Sequence, residues 1–258
     1  MPPHIRSQAT VDQGLLLSDL GILDREIAEM CGVAIKTVRR WRRLYQRRGI
    51  VRTANGHSCP GCHDRMLDPA SYALLLGAYL GDGHIIRNKR GIYLLSLAQD
   101  ARYGALIDEW RSAVLAVKGG GSCHINNKPG SVAILSYWMH WPCLFPQHGA
   151  GRKHERPIVL EPWQREIIEA DPRPFLRGLF HSDGCRITNW TVRQLAAGPK
   201  RYEYPRYFFS NESADIIGLC TWALDLLGIA WRRPKYNTVS VARREAVAAL
   251  DAFVGAKH

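Results

Sequence analysis

The sequence predicts an α+β protein: a small all-α module over residues 1–56, then a larger body over 69–258 built twice on one plan. Three observations carry this. Residues 35–52 hold eight Lys/Arg and no acid, inside an amphipathic helical pattern. Two related nine-residue strings, 75–83 and 176–184, both end in Asp-Gly. Each is followed by a hairpin pattern and then by a helical one, so strands and helices alternate in the same order twice.

Composition narrows the function. Of 258 residues, 46% are hydrophobic and 22% charged, which excludes disordered and collagen-like chains. Lys plus Arg is 35 against 23 acids, a net charge of +12 that points to a polyanionic partner, nucleic acid foremost. A basic surface serving only solubility is the other reading. No apolar run reaches the roughly 18 residues of a membrane span, and Met1 to Asp12 lacks an apolar signal core. Seven cysteines, an odd number without a secretion signal, predict reduced thiols in a cytoplasmic protein, nucleoid-associated when on DNA. Membrane proteins and disulfide scaffolds are thereby set aside. The charge divides unevenly, +4 over residues 1–68 and +8 over 69–258.

In the first module, Leu23 to Val33 reads as a short helix with Asp24 at its start, positioned to accept free backbone N–H groups. Gly32 can take the left-handed conformation that ends a helix tightly. A second helix begins near Ala34 or Ile35 and runs to about Tyr45, with Ile27, Ala28, Val33, Val38 and Trp41 buried where the two cross. The arrangement resembles the helix-turn-helix of resolvases, transposases and bacterial regulators. That resemblance implies a recognition helix in the major groove presenting Lys36, Thr37, Arg39, Arg40, Arg42 and Arg43 to bases and phosphates. A basic helical hairpin that packs on the rest of the protein is the alternative.

Residues 57–68 form a linker or knuckle containing His57, Cys59, Cys62 and His63. A Cys-x2-Cys turn presents two thiolates to one zinc ion, yet a structural zinc takes four ligands and no second such pair exists. Cys31, Cys123, Cys143 or His148 would join only through the fold. Two plain linker cysteines are the competing reading, and a redox role is weaker because no βαβ pattern surrounds them.

The strings Leu75-Leu76-Gly77-Ala78-Tyr79-Leu80-Gly81-Asp82-Gly83 and Leu176-Arg177-Gly178-Leu179-Phe180-His181-Ser182-Asp183-Gly184 read as two apolar helix ends. A mid-helix Gly costs about 1 kcal/mol against Ala, so Gly77 and Gly178 are expected to let two helices cross at near contact. Asp82 and Asp183 would then lie side by side at two negative helix ends, an arrangement that asks for a cation, naturally Mg²⁺. Ile85 to Lys89 with Ile92 to Ala98, and Arg186 to Val192 with Tyr204 to Ser210, read as hairpins. Helices follow, with Leu106, Ile107, Trp110, Val114 and Val117 on one face of the first, and Ile217, Cys220, Leu224 and Leu227 on one face of the second.

These strings resemble the two-motif, single-chain LAGLIDADG homing endonucleases, over about 190 residues. The resemblance implies paired αββαββα units, here 69–160 and 161–258, in a monomer with internal pseudo-two-fold symmetry. By it, Asp82 and Asp183 hold Mg²⁺, assisted by the carbonyls of Gly81 and Ser182, and Gln99 organises solvent, with Asn211 in the matching place. Lys153, in Arg152-Lys153-His154, is the active-site lysine, and Lys235 is the candidate for its second-half counterpart. Arg87, Lys89, Arg90, Arg186, Arg193, Lys200, Arg201 and Arg206 lie on or beside hairpins laid in the major groove. About ten extra residues around Pro199-Lys200-Arg201 enlarge the second hairpin. Leu80 and His181 stand where the family carries its earlier, variable acid.

Two functions of different class remain open at this level. One is a Mg²⁺-dependent endonuclease of double-stranded DNA; the other is a non-cleaving transcriptional regulator on the same fold, to which a helix-turn-helix is the more natural companion. A maturase-like RNA role is a third. Fold alone does not choose among them.

Overall fold

The computed structural model describes residues 8–49, 59–63 and 65–257, and the side chains of all these except residues 8, 43–49 and 63. The chain divides into two compact units, Met1–Asn55 and Gly56–His258. No helix among the described residues is long and apolar enough to cross a membrane.

The first unit holds α1 (Gln8–Asp19), α2 (Asp24–Met30) and α3 (Ile35–Gly49). Ile27, Ala28 and Val38 make its small core, with Leu17, Ile22, Cys31 and Val33 packed around them. The expected turn is present, with Gly32 at a φ of +60°. Two features differ from expectation. α1 precedes the two helices expected here and contributes Leu15 and Leu17 to the interior. Asp24 makes no capping bond; its carboxylate instead pairs with Arg39 at 3.2 Å and Arg42 at 2.9 Å on α3. A charged bond to guanidinium outcompetes a bond to a backbone N–H that water can reach.

The second unit begins with a short helix, α4 (Pro60–His63). Then come α5 (Pro69–Asp82), β1 (Gly83–Arg87), β2 (Tyr93–Asp100), α6 (Gly104–Lys118), β3 (His124–Lys128), β4 (Ser131–Tyr137) and α7 (Trp141–Leu144). A connecting helix α8 (Pro162–Ala170) leads to α9 (Pro172–Asp183), β5 (Gly184–Leu195), β6 (Gly198–Ser210), α10 (Ala214–Leu226), β7 (Arg232–Lys235), β8 (Thr238–Val241) and α11 (Arg244–Asp251). The αββαββα unit is thus present twice, and the two antiparallel sheets repeat one strand order, β1-β2-β4-β3 and β5-β6-β8-β7.

The central helices start alike. Asp68 accepts from Ser71 N–H ahead of Pro69, and Asp171 accepts from Arg173 N–H ahead of Pro172. An acid before a proline satisfies orphan donors and presets the first helical φ. Tyr72 through Leu80 are all buried, so α5 is enclosed on every side. At the crossing, a Cβ added to Gly77 would lie 2.8 Å from Leu179 N and one added to Gly178 would lie 2.7 Å from Ala78 N. Only two glycines allow such backbone contact. Arg177 adds a tie across the repeat, to Glu109 on α6 at 2.7 and 3.0 Å.

The extra residues of the second hairpin are not a loop. They lengthen both strands, which pair without interruption from Gly184↔Phe209 to Leu195↔Gly198. β8 covers β6 only over Tyr207–Ser210, so the rest of this hairpin continues as a two-stranded ribbon.

Candidate active site and nucleic-acid interface

The site follows from the helix crossing. Below Gly77 and Gly178 the helices stay in contact: a Cβ on Gly81 would collide with the Ser182 side chain and lie 3.2 Å from Asp183 Oδ2. Asp82 and Asp183, the last residues of α5 and α9, are therefore neighbours. Gly83 and Gly184 follow, each packed so close to its own helix that a Cβ would sit 2.6 Å from Tyr79 Cα or Phe180 O. The chain can turn directly from helix into strand only because both are glycine, and this turn fixes where each aspartate points.

Crowding raises the proton affinity of both acids. The Asp82 carboxyl is pushed up to about 6, first by its loss of surrounding water and then by the charge of Asp183, with Lys257 and Lys153 pulling it back. Asp183 is also raised, by burial, against the Asn211 hydrogen bond and the same two lysines. The charge of Asp183 thus adds to burial in opposing the ionisation of Asp82.

Lys153 lies in a single 3₁₀ turn (Lys153–Glu155) and reaches the end of α5, donating to the carbonyls of Tyr79, Leu80 at 3.0 Å and Gly81 at 2.7 Å. Burial brings its pKa down to about 8, while Asp183 and Asp82 hold it up. The second-half counterpart is Lys257, which donates to Ser182 O at 3.0 Å on the end of α9. Lys235 is not that residue: it lies exposed on β7, opposite Thr238. The expected assisting carbonyls of Gly81 and Ser182 thus accept from ammonium groups, because a lysine at each helix end meets the negative pole of that helix.

Asn211 donates to Asp183 Oδ2 at 2.6 Å, which holds that carboxylate in one orientation. Gln99 plays a different part from the one expected of a solvent-facing amide. It is buried within β2 and donates to His181 O at 3.2 Å, supporting the turn of α9 just ahead of Asp183. Leu80 and His181 are buried in the core, His181 with its Nε2 at 2.9 Å from Val254 O, so an acid at either position would lie in packing. A cleft of about 410 Å³ opens beside these groups, lined by Gly81, Lys153, Asp183, Ser210, Asn211 and Glu212.

Basic residues flank the site on the hairpins. Lys89 and Arg90 are exposed on the β1–β2 turn, which Asn88 Oδ1 braces by accepting from Arg90 N and Ile92 N at 2.9 Å. Arg87 lies over the Tyr93 ring. On the long ribbon, Arg193 and Lys200 lie over Tyr202, and Arg201 lies over Trp190 while pairing with Glu203 at 2.7 Å. Trp190 and Tyr202 are themselves exposed. Arg186 departs from expectation. It is locked to Asp251 at 2.7 and 2.9 Å, a charge-assisted fork that ties the hairpin base to α11. Arg206 is likewise turned inward, to Ser240 Oγ at 2.8 Å.

On α3, Lys36, Arg39 and Arg40 are exposed and Thr37 is half-buried, while Arg39 and Arg42 share Asp24. The Arg43 side chain lies outside the described residues. So do His57 and the His63 side chain. Cys59 and Cys62 meet His140 and Cys143, whereas Cys31, Cys123 and His148 are elsewhere, His148 with Nδ1 at 3.0 Å from Phe145 O. His140 carried no signal of its own; the spacing His140-x2-Cys143, echoing Cys59-x2-Cys62, would have been the clue.

Fold and site define a class: an α+β protein with an internally repeated αββαββα unit, paired helix-end carboxylates and a separate three-helix module. Residues 13–54 match a family model described as a homeodomain-like domain. No curated protein matches the sequence. Among solved structures, the chain is similar to the I-SmaMI LAGLIDADG homing endonuclease bound to cleaved DNA. Identity is 12% and the TM-score 0.46, over 74% of this chain and 84% of that one. It is also similar to I-LtrWI, a LAGLIDADG homing endonuclease bound to target DNA, at 9% identity and a TM-score of 0.46, over 72% and 84% of the two chains. A third likeness is to I-DmoI in complex with DNA and Mn, at 12% identity and a TM-score of 0.44, over 74% and 98%.

Proposed function

We propose that this chain is a divalent-metal-dependent endonuclease that binds and cuts double-stranded DNA, of the LAGLIDADG homing endonuclease kind its two strings resemble. One observation carries the reading: the α5–α9 crossing brings Asp82 beside Asp183, at a mutual electrostatic cost. The ends of α5 and α9 offer carboxylate and carbonyl oxygens, donors that suit a hard ion such as Mg²⁺, which Asp82 and Asp183 would hold. When bound, such an ion polarises a phosphodiester and makes an attacking water more acidic.

The chain's own residues supply the rest. Asn211 orients Asp183, and Gln99 secures the backbone behind it. Lys153 and Lys257 offset the two carboxylates and the two negative helix ends, which keeps the site near neutrality when a phosphate enters. Each half, 69–160 and 161–258, contributes one acid and one lysine, as a cut on each strand of a pseudo-symmetric site requires. A two-stranded ribbon fits the major groove, so Arg193, Lys200 and Arg201 on β5–β6 and Lys89 and Arg90 on β1–β2 are the proposed contacts of the body. Lys36, Thr37, Arg39, Arg40 and Arg43 are those of the homeodomain-like module, Arg39 from within its bond to Asp24.

A specific observation favours a second reading, a DNA-binding regulator that does not cut. The module at 13–54 carries its own basic helix, and the Gly81 and Ser182 carbonyls accept from lysines. One experiment separates the two. Duplex sites are selected from a random pool with the full chain in metal-free buffer, then incubated with Mg²⁺ or Mn²⁺ at saturating protein. The nuclease cuts or nicks its site, and Asp82→Asn and Asp183→Asn abolish cutting while binding persists. Intact DNA under saturating occupancy with either ion would leave the regulator reading.

A further inference from the structure

We propose that Cys59, Cys62, His140 and Cys143 form a structural zinc site that fastens the start of the second unit to its core. The four donor atoms all lie within 4.8 Å of one another. Cys62 Sγ is 3.5 Å from Cys143 Sγ, and each of these sulfurs is 3.7 Å from His140 Nδ1. With Zn–S near 2.3 Å and Zn–N near 2.0–2.1 Å, the edges of a tetrahedron are about 3.8 Å between sulfurs and about 3.6 Å from sulfur to nitrogen. These three separations lie within about 0.3 Å of those edges, and Cys59 Sγ lies within 4.8 Å of the other three donors.

The ligands come from two matching turns. Cys59 immediately precedes α4 and Cys62 is its third residue; His140 immediately precedes α7 and Cys143 is its third residue. Each turn is closed by the same bond, Cys62 N to Cys59 O at 3.2 Å and Cys143 N to His140 O at 3.1 Å. Residues three apart across a helix start lie on one face, so each turn offers two donors to a single point.

The two turns differ in what else holds them. α7 is set in the core by Trp141, which is fully buried and donates through Nε1 to Ser136 O at 2.9 Å, and by Leu144. α4 is four residues long and follows directly on the segment that leaves the first unit. A metal joining ligands about 80 residues apart closes a long loop and restrains this entry point before α5 begins. Three thiolates and one imidazole fill a tetrahedron and leave no open position, so the role is structural and separate from the carboxylate pair.

The test uses the full chain purified under reducing conditions. Metal analysis should find one zinc per chain, retained in Cys31→Ser and lost in His140→Ala and Cys143→Ser. Cobalt substitution of the wild type should give tetrahedral d–d bands with a thiolate charge-transfer band. Chelation should lower the melting temperature, with recovery on adding Zn²⁺ but not Mg²⁺. Should the ligand variants fail to fold, the wild-type metal content and cobalt spectrum decide the matter alone. A metal-free wild type, a Cys62–Cys143 disulfide found by mass spectrometry, or zinc retained in both ligand variants would overturn the proposal. DNA cleavage is no part of this readout, so its outcome stands apart from the nuclease reading.

Discussion

Replacing Gly77 or Gly178 with alanine tests the crossing on which the whole site depends. The added methyl at Gly77 would lie 2.8 Å from Leu179 N and 3.1 Å from Gly178 C, and at Gly178 it would lie 2.7 Å from Ala78 N and 3.0 Å from Gly77 Cα. Carbon contacts relax at about 3.5–4.0 Å, so the helices must separate by roughly 1 Å. Every obstacle is backbone, which cannot rotate aside as a side chain would. The cost therefore sits at the upper end of the ~1–3 kcal/mol of overpacking, against about 1 kcal/mol gained in helix propensity. A net loss of about 2 kcal/mol is expected at either position, or roughly 4–8 °C in Tm for a domain of this size. Gly218 in α10 is the control, because a methyl there meets no atom within 4 Å. Gly218→Ala should stabilise by up to about 1 kcal/mol. Urea unfolding followed by tryptophan fluorescence measures all three, and Mg²⁺ titration reports whether the acids remain paired. If Gly77→Ala and Gly178→Ala are as stable as Gly218→Ala, the helices do not touch as described, and the pairing of Asp82 with Asp183 loses its basis.

Further outcomes are expected from the two acids and from the basic residues. Asp82 titrates near 6 and Asp183 is raised as well, so both bind protons more readily in the folded chain than in the unfolded one. In metal-free buffer their contribution to stability is intact below the ordinary carboxylate range and is lost as pH rises through about 6. Mg²⁺ displaces those protons, so its affinity should fall as pH drops below about 6, approaching tenfold per pH unit for each proton released. Calorimetry in two buffers of different ionisation enthalpy counts the protons, and a flat affinity across that range would contradict the shared site. On DNA, Arg40→Ala and Arg193→Ala should each flatten the salt dependence by about 0.9 per lost phosphate contact. Arg186→Ala should leave that slope unchanged and act on stability instead, since its guanidinium is held by Asp251; equal slopes for all three variants would dissolve the distinction.

Much of the architecture was legible because it is written at short range. Gly77 and Gly178 stand out as helix-breaking residues kept inside helices, and Asp82-Gly83 and Asp183-Gly184 mark their ends. A local pattern also announced α2, α3, α6 and α10, whose apolar residues recur at helical spacing. The second hairpin is legible at its base but not along its full length: its extra residues have no strong alternation, and only partnership with the opposite strand makes them β.

The sequence by itself determined the repeat, the two acids and the basic helix, since each depends on residues within a few positions of one another. Tertiary structure decided what those residues meet. Lys257 reaches the end of α9 from 75 positions away, His140 and Cys143 join Cys59 and Cys62 across some 80, and Arg186 is claimed by Asp251 from 65. Charges, thiols and metals act through space, with a strength set by distance and burial. Neither quantity is a property of chain order, so composition counted +12 while only the fold could say which charges stand exposed and which are already bound.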